Sequence, residues 1–302
     1  MYDIIIVGAG PAGLTAAIYA LRAGKTALVI EKNGFGGQIA YSPKVENIPG
    51  IASISGAQFA DDLTSQAMAL GADLELEWVT EVVPTADGFA VKTDEGSTFT
   101  ARSVILATGV KHRTLGLPGE EMLIGSGLSF CAVCDGAFYA GGRVVMVGGG
   151  NSALQEALLL SDICAHVTVV QNLPHFTGEK KLADALMQKE NVTVLFDSLV
   201  TGYLVNEGAL SGVTVQRGEE TQNILADGAF LAVGLVPEND AFAHLAGLNP
   251  HGYFASGEDC ATQTPGLFVA GDCRQKNIRQ VVTAAADGAA AATAACRYID
   301  SL

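Results

Sequence analysis

A strand, a glycine-rich turn, a helix and a second strand follow one another twice in this chain, and this repeat limits the possible folds more than any other feature. The first copy occupies four consecutive segments: residues 3–7, 8–13, 14–22 and 26–31. The second copy has the same order: residues 143–147, 148–153, a helix through Leu160, and 166–171. Each copy is typical of a βαβ unit with parallel strands. The sequence therefore predicts an α/β protein with two duplicated Rossmann-like, three-layer dinucleotide-binding domains.

Length and composition agree with two globular domains. The chain has 302 residues, of which 49% are hydrophobic and 16% charged, so it is not dominated by disorder or by a coiled coil. Its 17 Lys and Arg against 32 Asp and Glu give a formal net charge of −15. Binding to a nucleic-acid backbone depends on cationic side chains. A nucleic-acid partner is therefore not expected.

One uncharged stretch needs a separate explanation, because residues 4–21 have the length of a membrane span or a signal sequence. Three glycines and Pro11 interrupt it, and Asp3 stands where a signal peptide has positive charge. We therefore expect a cytoplasmic protein without an export signal and without a membrane partner.

Segments rich in Val, Thr and Phe follow each βαβ copy. After the first copy they lie at residues 89–93, 98–101 and 104–107, and after the second at 192–215 and 229–233. Their composition predicts small antiparallel layers that return to the main sheets. Near the end, residues 266–270 predict a strand and an Ala-rich segment from about Arg279 predicts a long helix. Periodicity alone does not assign this last part to either domain.

The first glycine motif predicts a bound dinucleotide. A turn of this kind brings backbone amides and a helix N-terminus to a pyrophosphate, and its glycines permit the turn, the close approach of phosphate and helix–strand packing. Glu31 ends the next strand 23 residues after Gly8, where an acid can bond to a ribose. A purely structural turn is the alternative.

Cys131 and Cys134 are the one close pair among six cysteines. A structural zinc site needs four ligands, and no second close pair is present, so no metal is predicted. Two unrelated buried thiols are a further alternative. We favour a redox dithiol, because the spacing permits a short-loop disulfide and the carboxyl group of Asp135 can exchange protons with a thiol. Asp135 could instead be an ordinary helix cap.

Together these motifs resemble the low-molecular-weight thioredoxin reductases, a family of flavoproteins, over essentially the whole chain. The matching segments are residues 8–13 with Glu31, 36–38, 46–50, 107–109, 131–136, 271–272 and 279–281. The resemblance implies that FAD is the cofactor and that these residues bind it: Gly8, Gly10, Pro11, Ala12, Gly13, Glu31, Lys32, Gly37, Gln38, Asn47, Ala107, Thr108, Gly109, Gly271, Asp272, Arg279, Gln280 and Val281.

The same resemblance implies a domain organisation and roles for the dithiol. Residues 1–113 and 245–302 would form a discontinuous FAD-binding domain, and residues 114–244 an inserted NAD(P)-binding-like domain that carries the CxxC. Cys134 would face the flavin, Cys131 would attack the disulfide of thioredoxin, and Asp135 would be the acid/base. The resemblance further implies a homodimer, and an inserted domain that rotates about hinges near Thr114 and His244.

The second glycine turn departs from NADPH-dependent relatives. Gln171 stands where Glu31 stands in the first copy, and Asn172, Leu173 and Thr177 occupy the three positions at which those relatives have arginine. Loss of two charge-assisted hydrogen bonds to a 2′-phosphate would weaken NADPH binding by about 10²- to 10⁴-fold. The pattern resembles the NADPH-independent branch of the family, in which reduced ferredoxin is the electron donor.

Several alternatives stay open at this point. His175, Lys180 and Lys181 could replace the missing charge, which would leave an NADH-dependent or weakly NADPH-dependent enzyme. A flavin-dependent dithiol oxidase and a flavin-containing redox sensor are two further possibilities. Because ferredoxins are usually acidic, a ferredoxin donor also requires a basic patch on this acidic chain, for which residues 111–113 and 274–279 are the candidates.

Overall fold

The computed structural model describes residues 1–42 and 45–302, which form two compact units. The first unit comprises residues 1–111 and 236–302, and the second comprises residues 112–235. Both are built on parallel sheets with flanking helices, which confirms the predicted α/β class. In the described part of the chain, no helix is both long enough and apolar enough to cross a bilayer.

The elements are numbered along the chain. Residues 1–112 contain β1 (Tyr2–Val7), α1 (Pro11–Arg22), β2 (Ala27–Glu31), α2 (Gly56–Ala69), β3 (Asp73–Leu76), β4 (Val79–Thr85), β5 (Gly88–Thr93), β6 (Thr98–Leu106) and β7 (Lys111–His112). The central segment contains α3 (Glu120–Leu123), β8 (Leu128–Ser129), α4 (Ala132–Asp135), β9 (Arg143–Val147), α5 (Asn151–Ile163), β10 (His166–Val170), α6 (Lys180–Met187), β11 (Val192–Leu195), β12 (Leu199–Asn206), β13 (Ala209–Arg217), β14 (Glu220–Leu225) and β15 (Gly228–Leu231). The last segment contains β16 (Leu235–Val236), α7 (Ala243–Ala246), β17 (Leu267–Val269) and α8 (Val281–Asp300). Short 3₁₀ helices lie at Gly37–Tyr41, Gly136–Tyr139, Asp240–Phe242 and Gly271–Cys273.

The sheet of the first unit has the strand order β3-β2-β1-β6-β5-β4, with β17 also paired to β6. Strand β1 is buried on both faces, because Ile4 and Ile6 pack in the core with α1 and α8 while Ile5 and Val7 pack in the core on the other face. Helix α1 begins at Pro11, whose missing N–H costs no hydrogen bond in a first turn. The glycine turn between β1 and α1 is thereby held between buried elements.

The prediction of two separate strands at residues 98–101 and 104–107 is wrong. They form one strand, β6, which pairs antiparallel with β5 through residues 98–101 and parallel with β1 and β17 through residues 103–106. The reason is burial: the second half is an apolar run covered on both faces, which suits the middle of a parallel sheet.

The second unit has a parallel sheet of order β11-β10-β9-β15-β8 and a separate antiparallel sheet of β12, β13 and β14. The antiparallel prediction therefore holds for residues 199–215 and is wrong for two segments. Strand β11 pairs parallel with β10, and β15 pairs parallel with β9 and β8. All four residues of β15 are buried, as expected for an interior strand of a parallel sheet.

The chain passes between the units at residues 111–112 and 235–236, and these segments pair as the two-stranded sheet β7–β16. The second crossing lies earlier than the boundary expected at residue 245. Residues just after it are bonded within the first unit: Glu238 forms ion pairs with Lys32 and Lys111, and Asn239 donates to the Gly252 and Cys273 carbonyls at 2.9 Å.

Candidate functional site

At Gly8 and Gly13 the first glycine turn is packed so tightly that a side chain would not fit. Gly8 has a φ of +105°, and a β-carbon there would lie 2.3 Å from the Ala107 carbonyl oxygen. A β-carbon on Gly13 would lie 1.8 Å from the Gly8 carbonyl oxygen. Gly10 is the extended residue before α1, and a β-carbon on Gly37 would lie 3.0 Å from the Gly10 Cα. The turn therefore presents bare backbone next to the start of α1, which suits a close approach by phosphate.

Glu31 orders this turn from the end of β2. Its Oε2 accepts the Ala9 amide at 2.8 Å, and its Oε1 accepts the Asn33 amide at 3.0 Å. The side chain of Lys32 forms an ion pair with Glu238 and lies 6.0 Å from the ring centroid of Trp78. Glu31 and Lys32 were both predicted from the sequence to bind the cofactor. Glu31 ends β2 and contacts the turn through the Ala9 amide, and Lys32 is the next residue along the chain.

Other predicted cofactor residues lie on loops that surround the same strand ends. The Ala107 amide donates to the Val7 carbonyl at 2.8 Å, and Thr108 Oγ1 donates to Asn239 Oδ1 at 2.8 Å. Asn47 Nδ2 donates to Gln280 Oε1 at 2.9 Å, which joins the loop after the first 3₁₀ helix to the start of α8. The remaining predicted residues lie on the same elements: Ala12 in α1, Gln38 in the first 3₁₀ helix, Gly109 after β6 and Val281 at the start of α8.

Asp272 carries a buried oxygen that suits a ligand. Its Oδ1 accepts no hydrogen bond from any residue that the structure describes, and the nearest cation, Lys276 Nζ, is 4.0 Å away. Burial raises the pKa of Asp272 to about 6. Arg279 donates to the Asp272 carbonyl at 3.3 Å and stacks 4.2 Å from the centroid of Tyr253. An acceptor left without a donor is costly inside a protein, so this oxygen fits a hydroxyl group supplied by a bound cofactor.

A buried ion cluster, which sequence reasoning missed, supports Gly271 and Asp272. Asp287 on α8 accepts hydrogen bonds from Arg274 at 2.8 and 2.7 Å, from Lys276 at 2.9 Å and from the Gly271 amide at 3.0 Å. Burial alone would raise the pKa of Asp287, but these hydrogen bonds to Arg274 and Lys276 lower it. An acidic residue within the Ala-rich stretch 284–295 was the sequence signal that could have indicated this cluster.

Cys131 and Cys134 are joined by a disulfide, with their Cα atoms 5.3 Å apart. Cys131 is the N-cap of the four-residue helix α4, and the Cys134 amide donates to the Cys131 sulfur at 3.2 Å. The pair is thus a short-loop disulfide at a helix start, an environment that stabilises a thiolate after reduction. The zinc interpretation has no support, because both sulfurs are bonded to each other.

Ser129, also missed from the sequence, connects the disulfide to Asp135. Its hydroxyl accepts the Cys131 amide at 3.1 Å and donates to Asp135 Oδ2 at 2.5 Å. Asp135 is the last residue of α4 and immediately precedes the next 3₁₀ helix. Its carboxylate accepts the Ser129 hydroxyl and makes no capping hydrogen bond to that helix. This arrangement places a carboxylate on the same short segment as both sulfurs.

The second glycine turn is covered by the loop that follows β10. Gln171 is buried against Gly149, and its Nε2 donates to the His175 carbonyl at 3.1 Å. The amides of Thr177 and Gly178 donate to the Gly149 carbonyl at 2.8 and 3.0 Å. In the first turn the residue equivalent to Gln171 is Glu31, which accepts a hydrogen bond from the turn itself at Ala9.

The start of α5 is also engaged by this loop. Asn151 Oδ1 accepts the Glu179 amide at 2.6 Å, and Asn151 Nδ2 donates to Glu179 Oε1 at 3.3 Å. A carboxylate thus lies at the helix end where a phosphate would otherwise bind. The three basic residues of the region, His175, Lys180 and Lys181, are exposed.

Three of the cationic side chains in the two candidate basic patches are paired with carboxylates. In the second candidate, Arg274 and Lys276 are buried and paired with Asp287. In the first, Lys111 is paired with Glu238, and burial lowers the pKa of His112 to about 4, so that it is neutral near pH 7. Lys111 and Arg113 are exposed, and Arg279 is half-buried.

Comparison with known proteins identifies close relatives. The profile of a family described as pyridine nucleotide-disulphide oxidoreductase matches residues 2–288. The chain is 40% identical to thioredoxin reductase of Listeria monocytogenes, over 100% of this chain and 95% of that protein. It is 39% identical to thioredoxin reductase of Treponema pallidum, over 100% and 98% of the two chains. The crystal structure of thioredoxin reductase from Streptococcus pyogenes superposes with a TM-score of 0.91 at 34% identity and covers 100% of this chain and 99% of that chain.

Proposed function

The chain belongs to the pyridine nucleotide-disulphide oxidoreductase family, and from this premise we propose that it is a thioredoxin reductase that receives its electrons from reduced ferredoxin. The proposal has two parts, the dithiol route to thioredoxin and the identity of the donor. Each part depends on a different group of residues and is tested separately. Homodimerisation belongs to the proposal on the family resemblance alone.

FAD is the cofactor, as in the thioredoxin reductases of this family. The residues of the first unit fit it, because the turn Gly8–Gly13 leaves bare backbone for a pyrophosphate and Asp272 offers a buried acceptor without a donor. Glu31 stands at the strand end where an acid reads a ribose. When bound, the flavin supplies the pair of electrons that the disulfide needs.

The disulfide at the start of α4 supports the dithiol route. In its reduced form the Cys131 thiolate would attack a disulfide sulfur of thioredoxin, so that a mixed disulfide forms and one thioredoxin thiolate leaves. Cys134 would then attack Cys131, which restores the Cys131–Cys134 bond and releases the second thiolate of thioredoxin. Asp135, held by Ser129, would exchange the protons that this step requires. Two electrons leave the enzyme in each cycle.

The contact between Gln171 and Gly149 is the observation that supports a donor other than NADPH. It fills the space beside the second glycine turn, and the positions expected for the three arginines carry neutral side chains at Asn172, Leu173 and Thr177. Glu179 adds negative charge at the start of α5. These features disfavour a phosphorylated nicotinamide nucleotide, and the choice of an iron–sulfur protein over NADH rests on the family resemblance.

The donor is tested by mixing the oxidised enzyme anaerobically with NADPH, NADH or reduced ferredoxin and following the flavin absorbance. We expect rapid bleaching with ferredoxin alone. Rapid bleaching at low micromolar NADPH would contradict this part of the proposal, and oxygen consumption with small dithiols but without thioredoxin would indicate a dithiol oxidase.

The dithiol route is tested with Cys131→Ser and Cys134→Ser. Each substitution should abolish thioredoxin reduction while the flavin stays bound. Cys164→Ser is a matched control, because Cys164 is a buried free thiol in the same unit. Turnover retained in either active-site variant would contradict the route.

A further inference from the structure

Glu156, on α5, contacts the segment Cys131–Cys134 that carries the disulfide. It is partly buried, and its Oε2 accepts the amide of Ala132 at 3.3 Å. Ala132 lies between the two cysteines and is the first residue of α4. A carboxyl group of the neighbouring helix therefore occupies the first amide of the helix that carries the disulfide.

This amide belongs to the same helix start that receives the Cys131 sulfur. Cys131 is the N-cap of α4, and the Cys134 amide already donates to its sulfur at 3.2 Å. Glu156 accepts the amide of the residue that directly follows Cys131, so its carboxylate and a Cys131 thiolate would be neighbouring negative charges, and each disfavours the ionised form of the other. The charge of Glu156 and the charge of a Cys131 thiolate must therefore be coupled.

The surroundings of Glu156 bring its pKa close to neutral pH, so that it can gain or lose a proton there. Burial raises its pKa to about 7, the hydrogen bond from Ala132 acts in the opposite direction, and the negative charge of Asp135 raises it further. Among the residues that the structure describes, Asp135 is the ionisable group that acts on Glu156. The other ionisable side chains on elements packed against α5 are Tyr139, Arg143, His166, Lys180, Lys181 and Asp184.

We infer that Glu156 is the positioning residue that takes up a proton when the disulfide is reduced and so keeps Cys131 as a thiolate. The inference rests on the proposed dithiol route. On reduction the S–S bond accepts two electrons and breaks. One proton from solvent goes to the Cys134 sulfur, a second goes to the Glu156 carboxylate, and the Cys131 sulfur stays anionic.

The test counts protons taken up per disulfide reduced. The full-length flavoprotein is equilibrated with reduced and oxidised dithiothreitol at several pH values just above 7, and the cysteine redox state is read after thiol alkylation. A pKa of about 7 leaves Glu156 partly protonated in the oxidised enzyme, so the wild type should take up roughly 1.5–2 protons per disulfide. Glu156→Gln should take up about one, because glutamine keeps the acceptor for Ala132 but cannot ionise. Glu190→Gln, which removes an exposed charge from the same unit, should behave as the wild type.

An infrared measurement tests the same inference without the glutamine variant. The reduced-minus-oxidised difference spectrum of the wild type should gain a carboxylic-acid C=O band, and this band should persist in Asp135→Asn. An unchanged proton count in Glu156→Gln, or a wild-type spectrum without that band, would overturn the inference. Since dithiothreitol supplies the electrons, neither result depends on the donor or on thioredoxin, and a failure of the proposed function is seen separately in the turnover assays.

Discussion

The carboxamide of Gln171 lies against Gly149 so closely that a β-carbon built on that glycine would be 2.5 Å from the carboxamide carbon. Both residues are parts of the second glycine turn and its following loop, and the Thr177 and Gly178 amides fix the loop to the Gly149 carbonyl. The turn keeps its glycine spacing, but the side chains of Asn172, Leu173 and Thr177 in the loop beside it carry no charge.

Restoring arginine at these positions should create NADPH affinity. In the triple variant Asn172→Arg, Leu173→Arg and Thr177→Arg we expect the Kd for NADPH to fall by about 10²- to 10⁴-fold, since two charge-assisted hydrogen bonds to the 2′-phosphate, at about 1.5–3 kcal/mol each, contribute about 3–6 kcal/mol. Titration calorimetry measures this directly. The same three charges placed on the exposed strand β14, at Thr221, Gln222 and Asn223, form the control and should leave NADPH affinity unchanged. Equal gains in both variants would mean that net charge, not the clamp geometry, is responsible.

Stability of the second unit should decrease as the pH falls from 7 to 5. His112 is stacked 4.7 Å from Phe130, and burial lowers its pKa to about 4, below its ordinary value of 6.5. In this pH range the unfolded chain therefore binds a proton that the folded chain excludes. The stabilisation is present above pH 6.5 and is lost as pH falls toward 4, which amounts to about 2 kcal/mol by pH 5.

Denaturant unfolding at pH 7 and pH 5 measures this effect. His112→Phe should keep the ring stack and remove this contribution to the pH dependence, whereas His251→Phe, at an exposed position, should not. A pH dependence that is the same in wild type and His112→Phe would contradict the assignment.

Asp287 should be the most costly single charge to remove from the first unit. Asp287→Asn leaves Arg274 and Lys276 buried without their anion, and we expect a loss of about 3–5 kcal/mol in the free energy of unfolding. Glu81→Gln breaks the exposed ion pair with Lys92 and should cost less than about 1 kcal/mol. Chemical denaturation of both variants measures the two losses in the free energy of unfolding. Equal losses would show that the buried cluster stabilises the fold no more than an exposed ion pair does.

FAD affinity should fall at acidic pH through Asp272. The ionised carboxylate is the better acceptor for a ligand hydroxyl, so affinity is retained above its pKa of about 6 and lost below it. Between pH 7.5 and pH 5 we expect about tenfold weaker binding of FAD to the apoprotein. Fluorescence titration of the wild type measures the change, and Asp272→Asn should bind FAD with little dependence on pH. A pH effect that persists in this variant would place the titrating group elsewhere.

Local pattern was sufficient for the elements that carry the glycine turns. The strand–turn–helix order around Gly8 and Gly148 was readable because apolar runs, glycine and an Ala/Leu helix occur side by side in the sequence. The error at β6 has a different origin, since Ser103 interrupts the apolar pattern although it is buried and donates to the Gly266 carbonyl at 2.7 Å. A polar residue with a distant partner is indistinguishable from a turn residue when only its neighbours are considered.

Contacts between distant segments were beyond sequence reasoning at the candidate site. Asp287 meets Arg274 across the 3₁₀ helix and the start of α8, and Glu156 meets Ala132 from 24 residues away. Motif comparison identified the cysteines and glycines, because their roles depend on local spacing. The acids that position them depend on tertiary packing, which a single sequence does not reveal.

The interrupted connectivity of the first unit has a consequence for its biosynthesis. Helix α8 packs on α1 and Gly288 lies directly against the Ala12 carbonyl, yet 124 residues of the second unit (112–235) are translated between the two halves. From residue 111 to the end of α8 at residue 300 there are 189 residues, so at about 5–20 residues per second the first half would wait roughly 9–38 s for this helix, with apolar faces of α1 and β1 uncovered. The nascent chain should therefore bind holdase chaperones chiefly through its first hundred or so residues, and acquire its yellow colour only after the last helix has emerged.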